Sequence, residues 1–347
     1  ILTGCQLFGM SLVTIDNCAL AQQNFERDKD IAGIVVTSPD YFGMVVDLED
    51  IQKVCKALNK LLIVDSAHGA HFAYSNLLPQ SVSEVADLTS VSMHKTMNAY
   101  GGGALLNVGN ENLYEYALYY RNILHSTSPS YLVLASMDSA RDDFEQNGQR
   151  YYEEVLASVQ DFDCVLKQKM QCEVELLKTD DFSRVVIDLR GKDGYDAQSQ
   201  LLANGVGIEM AYYDKLVAIV NPFNCKSLDL LANALTKIQF KKLAIDIPKW
   251  TGKRSKYFNQ QSVLTAVGGE SELDQQGKLT AVGKPKIEFV DVDDAIGRVS
   301  ACDIGIYPPS VAIVKSGDIL DSAAIKIIKE LGNKVFGLVN NRIVVIY

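Results

Sequence analysis

Short apolar runs alternate with helix-spaced apolar positions along the first third of the chain. Ile31–Thr37 (IAGIVVT) and Leu61–Asp65 (LLIVD) are continuous aliphatic runs, the pattern of strands buried on both faces. Between them Leu48, Ile51, Val54, Cys55 and Leu58 recur at three- and four-residue intervals, which predicts a helix over 48–59. Asp47 stands just before it, a side chain suited to the free N–H groups of a first turn. Val85–Ser92 and Ala104–Val108 predict two more strands. The opening ILTGCQLFGMSLVTI reads as a helix end, a turn at Gly4 and a strand. Such alternation builds a mostly parallel sheet with helices on both faces. Ligands gather beyond the carboxyl ends of such strands, here Thr37, Asp65 and Ser92.

Further on, the loop HSTSPSY (His125–Tyr131) leads into a long helical pattern over about 131–170. A second α/β segment begins near Val174, with strands at Arg184–Leu189 and Leu216–Val220 and helices at Ala197–Asn204 and Leu228–Lys237. Residues 241–284 lose this periodicity and hold a near-duplicate, QQSVLTAVG (Gln260–Gly268) and QQGKLTAVG (Gln275–Gly283). Two copies are too few for a solenoid, so the stretch reads as a linker or exposed arm. From Lys286 a two-residue alternation returns around one helix at Ser322–Leu331. The expected organisation is an α/β large domain over 1–145, a small α/β domain over 146–240, a linker over 241–284 and a C-terminal α+β domain over 285–347.

Composition narrows the function classes. The 347 residues carry a formal charge of −10, which argues against a nucleic-acid surface. No apolar run approaches the roughly 18 residues of a membrane span. Seven scattered cysteines without a C-x-x-C pair fit reduced thiols in a cytoplasmic protein rather than a disulfide framework or zinc knuckle. Ile1 with no basic leader segment leads us to expect a chain that begins inside a domain.

Candidate chemistry concentrates at two predicted strand ends. Three of the four histidines lie in DSAHGAHF (Asp65–Phe72) and SMHKT (Ser92–Thr96); the fourth is His125. Asp65, His68 and His71 form a D-x-x-H-x-x-H spacing open to a metal reading, but Gly69 and Ala70 favour a turn over the helix that would align the two imidazoles. A pyridoxal-phosphate reading uses more of the residues. That cofactor needs a lysine amine and an acid near its pyridine nitrogen, with hydroxyl, amide or cationic donors for its phosphate. Asp65 on one strand end, with Ser92, His94 and Lys95 on the next, meets these needs.

DSAHGAHF and SMHKT closely resemble the ornithine/lysine/arginine decarboxylases of fold type I, above all the shorter bacterial biosynthetic group. TSPDYFG (Thr37–Gly43), TSPSYLVLASMDSAR (Thr127–Arg141) and AIGRVSACDIGIYPP (Ala295–Pro309) follow in the same order. The resemblance covers the chain apart from the linker. It implies that Lys95 forms the internal aldimine and that Asp65 pairs with the pyridine nitrogen, while Ala67 packs on one ring face. It also implies that Ser92 and His94 reach the phosphate, with His94 near the substrate carboxylate, and that His68 lines the pocket. Catalysis then rests on Lys95 and His94. The Ser126–Ser130 loop, with Ser128, would approach a neighbouring subunit's cofactor, which implies a homodimer or higher oligomer. The implied reaction is α-decarboxylation of arginine, lysine or ornithine.

Three positions depart from the family pattern: Asp40 where relatives commonly carry Thr, Ser310 where they carry Gly, and Lys315–Asp318 in place of a proline–glycine–acid turn. The family's Gly-rich phosphate turn and ring-stacking histidine precede Ile1, so we expect these residues alone to show weak or no activity. Although no arginine other than Arg184 in DFSRVVIDL offers itself as a carboxylate clamp, and that one not strongly, aminotransfer or elimination on the same cofactor stays open. So does a silent homologue that pairs with an active subunit.

Overall fold

The computed structural model describes residues 10–15, 31–170, 173–243, 263–268, 287–306, 311–315 and 317–346. In chain order the elements begin with β1 (Met10–Ile15), β2 (Ile31–Thr37), α1 (Leu48–Ala57), β3 (Leu61–Asp65) and β4 (Leu88–Ser92). The single turn α2 (Met93–Thr96), β5 (Ala104–Val108), α3 (Tyr114–Leu124) and α4 (Tyr131–Met170) follow. Next come β6 (Glu175–Leu177), β7 (Arg184–Asp188), α5 (Gly194–Ala203), β8 (Met210–Tyr212), β9 (Lys215–Ile219), α6 (Leu228–Leu235) and β10 (Val263–Gly268).

The chain divides into two compact units. The first takes the described residues up to Asp188, together with Val217–Lys237 and β10. The second takes Leu189–Leu216, residues 238–243 and the described residues from 287 onward.

The first unit is built on a six-stranded sheet in the order β1-β10-β2-β3-β4-β5. Its middle is parallel, β2 to β3 to β4, and its flanks are antiparallel. The mostly parallel sheet expected from the sequence is therefore confined to those three strands. The reason at the β5 side is length: the link from Ser92 to Ala104 is too short for a covered parallel crossover, which takes a dozen residues or more. β10 lies in the stretch read as a linker, yet its VLTAVG sequence has the β-branched content of a strand. The second copy of the echo and the rest of the expected linker lie outside the described residues, as do Ser310 and the helix end and turn expected before β1.

Ile34, Val36, Leu62 and Val64 are fully buried and share one core with Leu48, Ile51 and Cys55 of α1. Asp47 caps that helix, accepting from the Asp50 N–H, so the amphipathic pattern and the cap agree. Truncating a side chain as deep as Leu62 to Ala costs about 2–5 kcal/mol. α4 buries a stripe that recurs every three or four residues, through Phe144, Gly148, Tyr152 and Val155 to Met170. Gly148 is needed there, since a Cβ would fall 2.6 Å from the Tyr74 carbonyl oxygen.

In the second unit the Asp193 side chain caps α5 through the Tyr195 and Asp196 N–H groups. The C-terminal part pairs Ile287–Asp291 and Val299–Ser300 with Arg342–Ile346, all antiparallel. A helix at Ser322–Leu331 closes a core containing Ala295, Ile304, Ile325, Ile328, Ile343 and Val345. The turn at Lys315–Asp318 closes with an Asp318 N–H to Lys315 carbonyl bond of 3.0 Å, and Gly317 holds φ +91°, a conformation glycine adopts without strain.

Candidate active site

Parallel pairing sets Thr37 opposite Asp65 and Asp65 opposite Ser90, so the strand exits share one edge of the first unit's sheet. At the β3 exit the Asp65 Oδ1 accepts from the Ala67 N–H at 3.1 Å, and the Gly69 N–H donates to the Ser66 carbonyl at 2.9 Å. These bonds wind DSAHG into a tight turn. The turn buries Ser66, His68 and His71 while Asp65 and Ala67 stay partly open. At the β4 exit the chain passes straight into α2, with Ser92 at its N-cap. His94 Nδ1 lies 2.9 Å from the Gly103 carbonyl oxygen. An oxygen can only accept there, so Nδ1 carries a proton, and in the neutral tautomer the lone pair is on Nε2. Lys95 is exposed, and its Nζ stands 3.5 Å from His68 Nε2.

Behind this edge lies a buried polar layer. His68 Nδ1 is 3.0 Å from Arg184 Nη2, and Arg184, at the start of β7, is 1% exposed. Burial, then the Arg184 guanidinium, push the His68 imidazole down to about 3, so it stays neutral. His71 Nε2 sits 3.2 Å from Asp181 Oδ2, both side chains fully buried, and its ring stacks 5.2 Å from Tyr152. Burial alone would raise the Asp181 carboxyl; His71, Arg184 and the Ser183 side chain outweigh it and hold it down to about 2. Ser183 Oγ also approaches His71 Nε2, at 3.4 Å. Serine and acid thus meet the same nitrogen, whereas a serine-nucleophile relay needs one on each ring nitrogen. His68 and His71 turn to separate partners, and among the described residues no three His, Cys, Asp or Glu side chains are grouped to hold a metal ion.

Residues 12–187, just over half of the chain, match the family described as Orn/Lys/Arg decarboxylase, major domain. This chain belongs to that decarboxylase family. An arginine decarboxylase of Halalkalibacterium halodurans is 26% identical over 89% of this chain and 63% of its own length. One from Bacillus subtilis is 24% identical over 86% of this chain and 61% of its own. The chain thus spans somewhat under two thirds of these relatives. Among solved structures, a lysine decarboxylase of Francisella novicida aligns with a TM-score of 0.66 at 14% identity, covering 96% of this chain and 60% of that one. The constitutive lysine decarboxylase of E. coli aligns with a TM-score of 0.59 at 14% identity, over 90% and 58%. The fold is therefore that of the lysine decarboxylases.

The structure gathers most of the residues singled out in this decarboxylase-family sequence. Asp65, Ala67, His68, Ser92, His94 and Lys95 all sit at the β3 and β4 exits. Ser128 stands apart, in the exposed loop before α4, with its N–H on Ser126 Oγ; among the described residues no hydrogen bond joins it to the strand exits. Asp40 takes the Phe42 and Met44 N–H groups on its Oδ1, each at 2.9 Å, and so closes the TSPDYFG loop. Sequence reasoning missed Asp181 and Ser183, and it placed Arg184 only as a carboxylate clamp. The available signal was a charged residue opening the apolar run RVVID, since a buried guanidinium must find partners.

Proposed function

We propose that this chain carries the cofactor side of a pyridoxal-phosphate-dependent decarboxylase that acts on a basic amino acid: arginine, lysine or ornithine. The observation that carries the reading is the meeting of an acid, Asp65, and an amine, Lys95, at adjacent strand exits in a chain of this family. The donor set fits the cofactor. Asp65 keeps its Oδ2 free of hydrogen bonds among the described residues, and the Lys95 amine is open to solvent. Among the described residues, buried Ser66 Oγ and Thr96 Oγ1 beside these exits have no hydrogen-bond partner.

In this reading Asp65 holds the pyridine nitrogen protonated, Ala67 and His68 line the ring, and Ser92 and His94 reach the phosphate. When bound, the ring supplies a sink for the electrons left on Cα as carbon dioxide departs. Lys95 binds the cofactor and returns a proton to Cα, and His94, with its Nε2 lone pair exposed by the Gly103 contact, holds or passes that proton. Aminotransfer wants a guanidinium open to a carboxylate, and Arg184 is buried and turned to His68, so decarboxylation is preferred.

The partner we infer is a second copy of the chain in a reduced, cytoplasmic setting. α3 buries none of its residues, and Tyr116, Tyr119 and Ile123 are 56–65% exposed. An apolar face of this size marks an interaction surface. It adjoins in sequence the loop that holds Ser128, which would serve the partner's site. Ile123→Asp should shift the protein from dimer to monomer in sedimentation velocity; an unchanged dimer would remove α3 from the interface.

Borohydride reduction after pyridoxal-phosphate loading, followed by peptide mass mapping, tests the cofactor assignment: a pyridoxyl group is expected on Lys95. Product analysis of the whole protein with the three amino acids should give an amine and carbon dioxide without keto acid. Keto acid, or label on another lysine, would overturn the reading.

A further inference from the structure

We propose that Arg184 and His68 form a fixed, one-directional hydrogen-bond device that positions the Lys95 amine. Both are positioning residues, and the inference rests on the reading of Lys95 as the cofactor lysine.

The argument is one of donors. An arginine guanidinium has five N–H donors and no acceptor. The 3.0 Å contact between Arg184 Nη2 and His68 Nδ1 therefore runs from arginine to histidine. Nδ1 is left as the lone-pair nitrogen and the ring proton sits on Nε2. That nitrogen faces Lys95 Nζ at 3.5 Å, the outer limit of a hydrogen bond. An N–H can engage an amine only through the amine's lone pair, so the contact selects the form of the amine that takes up an aldehyde and holds it at the mouth of the site.

The surroundings keep the device rigid. Gly43 has φ +82°, and a Cβ there would lie 2.6 Å from Arg184 Cβ; the glycine makes room for the arginine side chain. The Gly43 carbonyl takes the Asp181 N–H at 2.8 Å, which ties this loop to the segment that carries Arg184. The Tyr41 ring lies 4.7 Å from His68. The groups that face or act on His68 are Arg184 from β7, Lys95 from α2, Tyr41 from the loop after β2, and His71 and Asp181. Asp181 favours protonation of the ring and the Arg184 guanidinium opposes it more strongly. His68 therefore stays out of the proton traffic, which falls to Lys95 and His94.

The test reads the tautomer and cofactor capture separately. In 15N-histidine NMR of the protein without cofactor, His68 should carry its proton on Nε2 and show no titration from pH 5 to 8. Arg184→Leu should release Nδ1 to protonate or bring the ring into titration within that range, and Arg184→Lys should hold the wild-type tautomer. Capture of pyridoxal phosphate by Lys95, followed by absorbance, should slow about tenfold in His68→Ala. It should stay within about twofold of wild type in His68→Gln, whose amide accepts from Arg184 and donates to Lys95. A wild-type ring protonated on Nδ1, or His68→Gln loading as slowly as His68→Ala, overturns the proposal. If Arg184→Leu does not fold, the wild-type tautomer and the two His68 variants decide. If wild type captures no cofactor the functional reading falls, and the tautomer decides alone: Nε2–H retains the device, Nδ1–H removes it.

Discussion

Two neighbouring strand exits each present a histidine, and the two are wired in opposite senses. At the β3 exit His68 is buried and accepts at Nδ1 from Arg184; at the β4 exit His94 is partly open and donates from Nδ1 to the Gly103 carbonyl. In the neutral tautomers one ring keeps its N–H on Nε2 and the other keeps its lone pair there. The difference lies in the partner supplied to one nitrogen, a guanidinium in one case and a carbonyl in the other. Placement on the sheet edge is thus insufficient to assign a proton-carrying role. What sits behind each ring decides it.

Under the proposed function, labour is divided between an open exit that does the chemistry and a buried one that holds shape. The largest expected effect is on function: Lys95→Ala should remove the borohydride-trapped label altogether, and residual label on the variant would break the division. Next is Asp181→Ala, which strands His71 in the buried layer. It should cost about 3–5 kcal/mol in urea unfolding, and a cost under about 1 kcal/mol would show the layer to be slack.

A pH series sharpens the contrast. The unfolded His68 takes a proton near its ordinary 6.5, while in the folded protein it resists down to about 3. The unfolded chain therefore binds more protons, and stability falls as pH drops through that window. From pH 7 to pH 5 the loss is about 2 kcal/mol, and His68→Gln should flatten it. Asp181, moved from 3.8 down to about 2, supports stability above its unfolded value and loses that support as pH falls through its folded value. Its slope should enter only below about pH 4. The smallest effect expected is on the stability of Lys95→Ala, within about 0.5 kcal/mol for an exposed side chain.

Much of this arrangement was legible in residue order. The helix expected over about 131–170 is α4, Tyr131–Met170, because its apolar period is sustained for many turns. The strands ending at Thr37, Asp65 and Ser92 follow from short apolar runs closed by polar residues. β10 was not legible as part of this sheet, because its partners β1 and β2 lie far away in sequence and its Gly- and Gln-rich surroundings resemble a loop. The contact between Arg184 and His68 was not legible for the same reason, the two lying 116 positions apart. Local pattern locates acids and amines on strand ends, whereas the hydrogen bonds that set a ring's tautomer come from distant segments.

The unbroken run of α4 makes it a ruler as well as a support. Phe144, Gly148 and Tyr152 lie on one buried line, with Gly148 against Tyr74 and Tyr152 against His71. Each residue turns an α-helix by about 100°, so one residue inserted after Gly148 would swing Tyr152 away from the imidazole it backs. Two such insertions would undo the alignment further, and four would return the ring to nearly the same face but about 6 Å further along the axis. The spacing between those contacts is therefore fixed in rise as well as in angle.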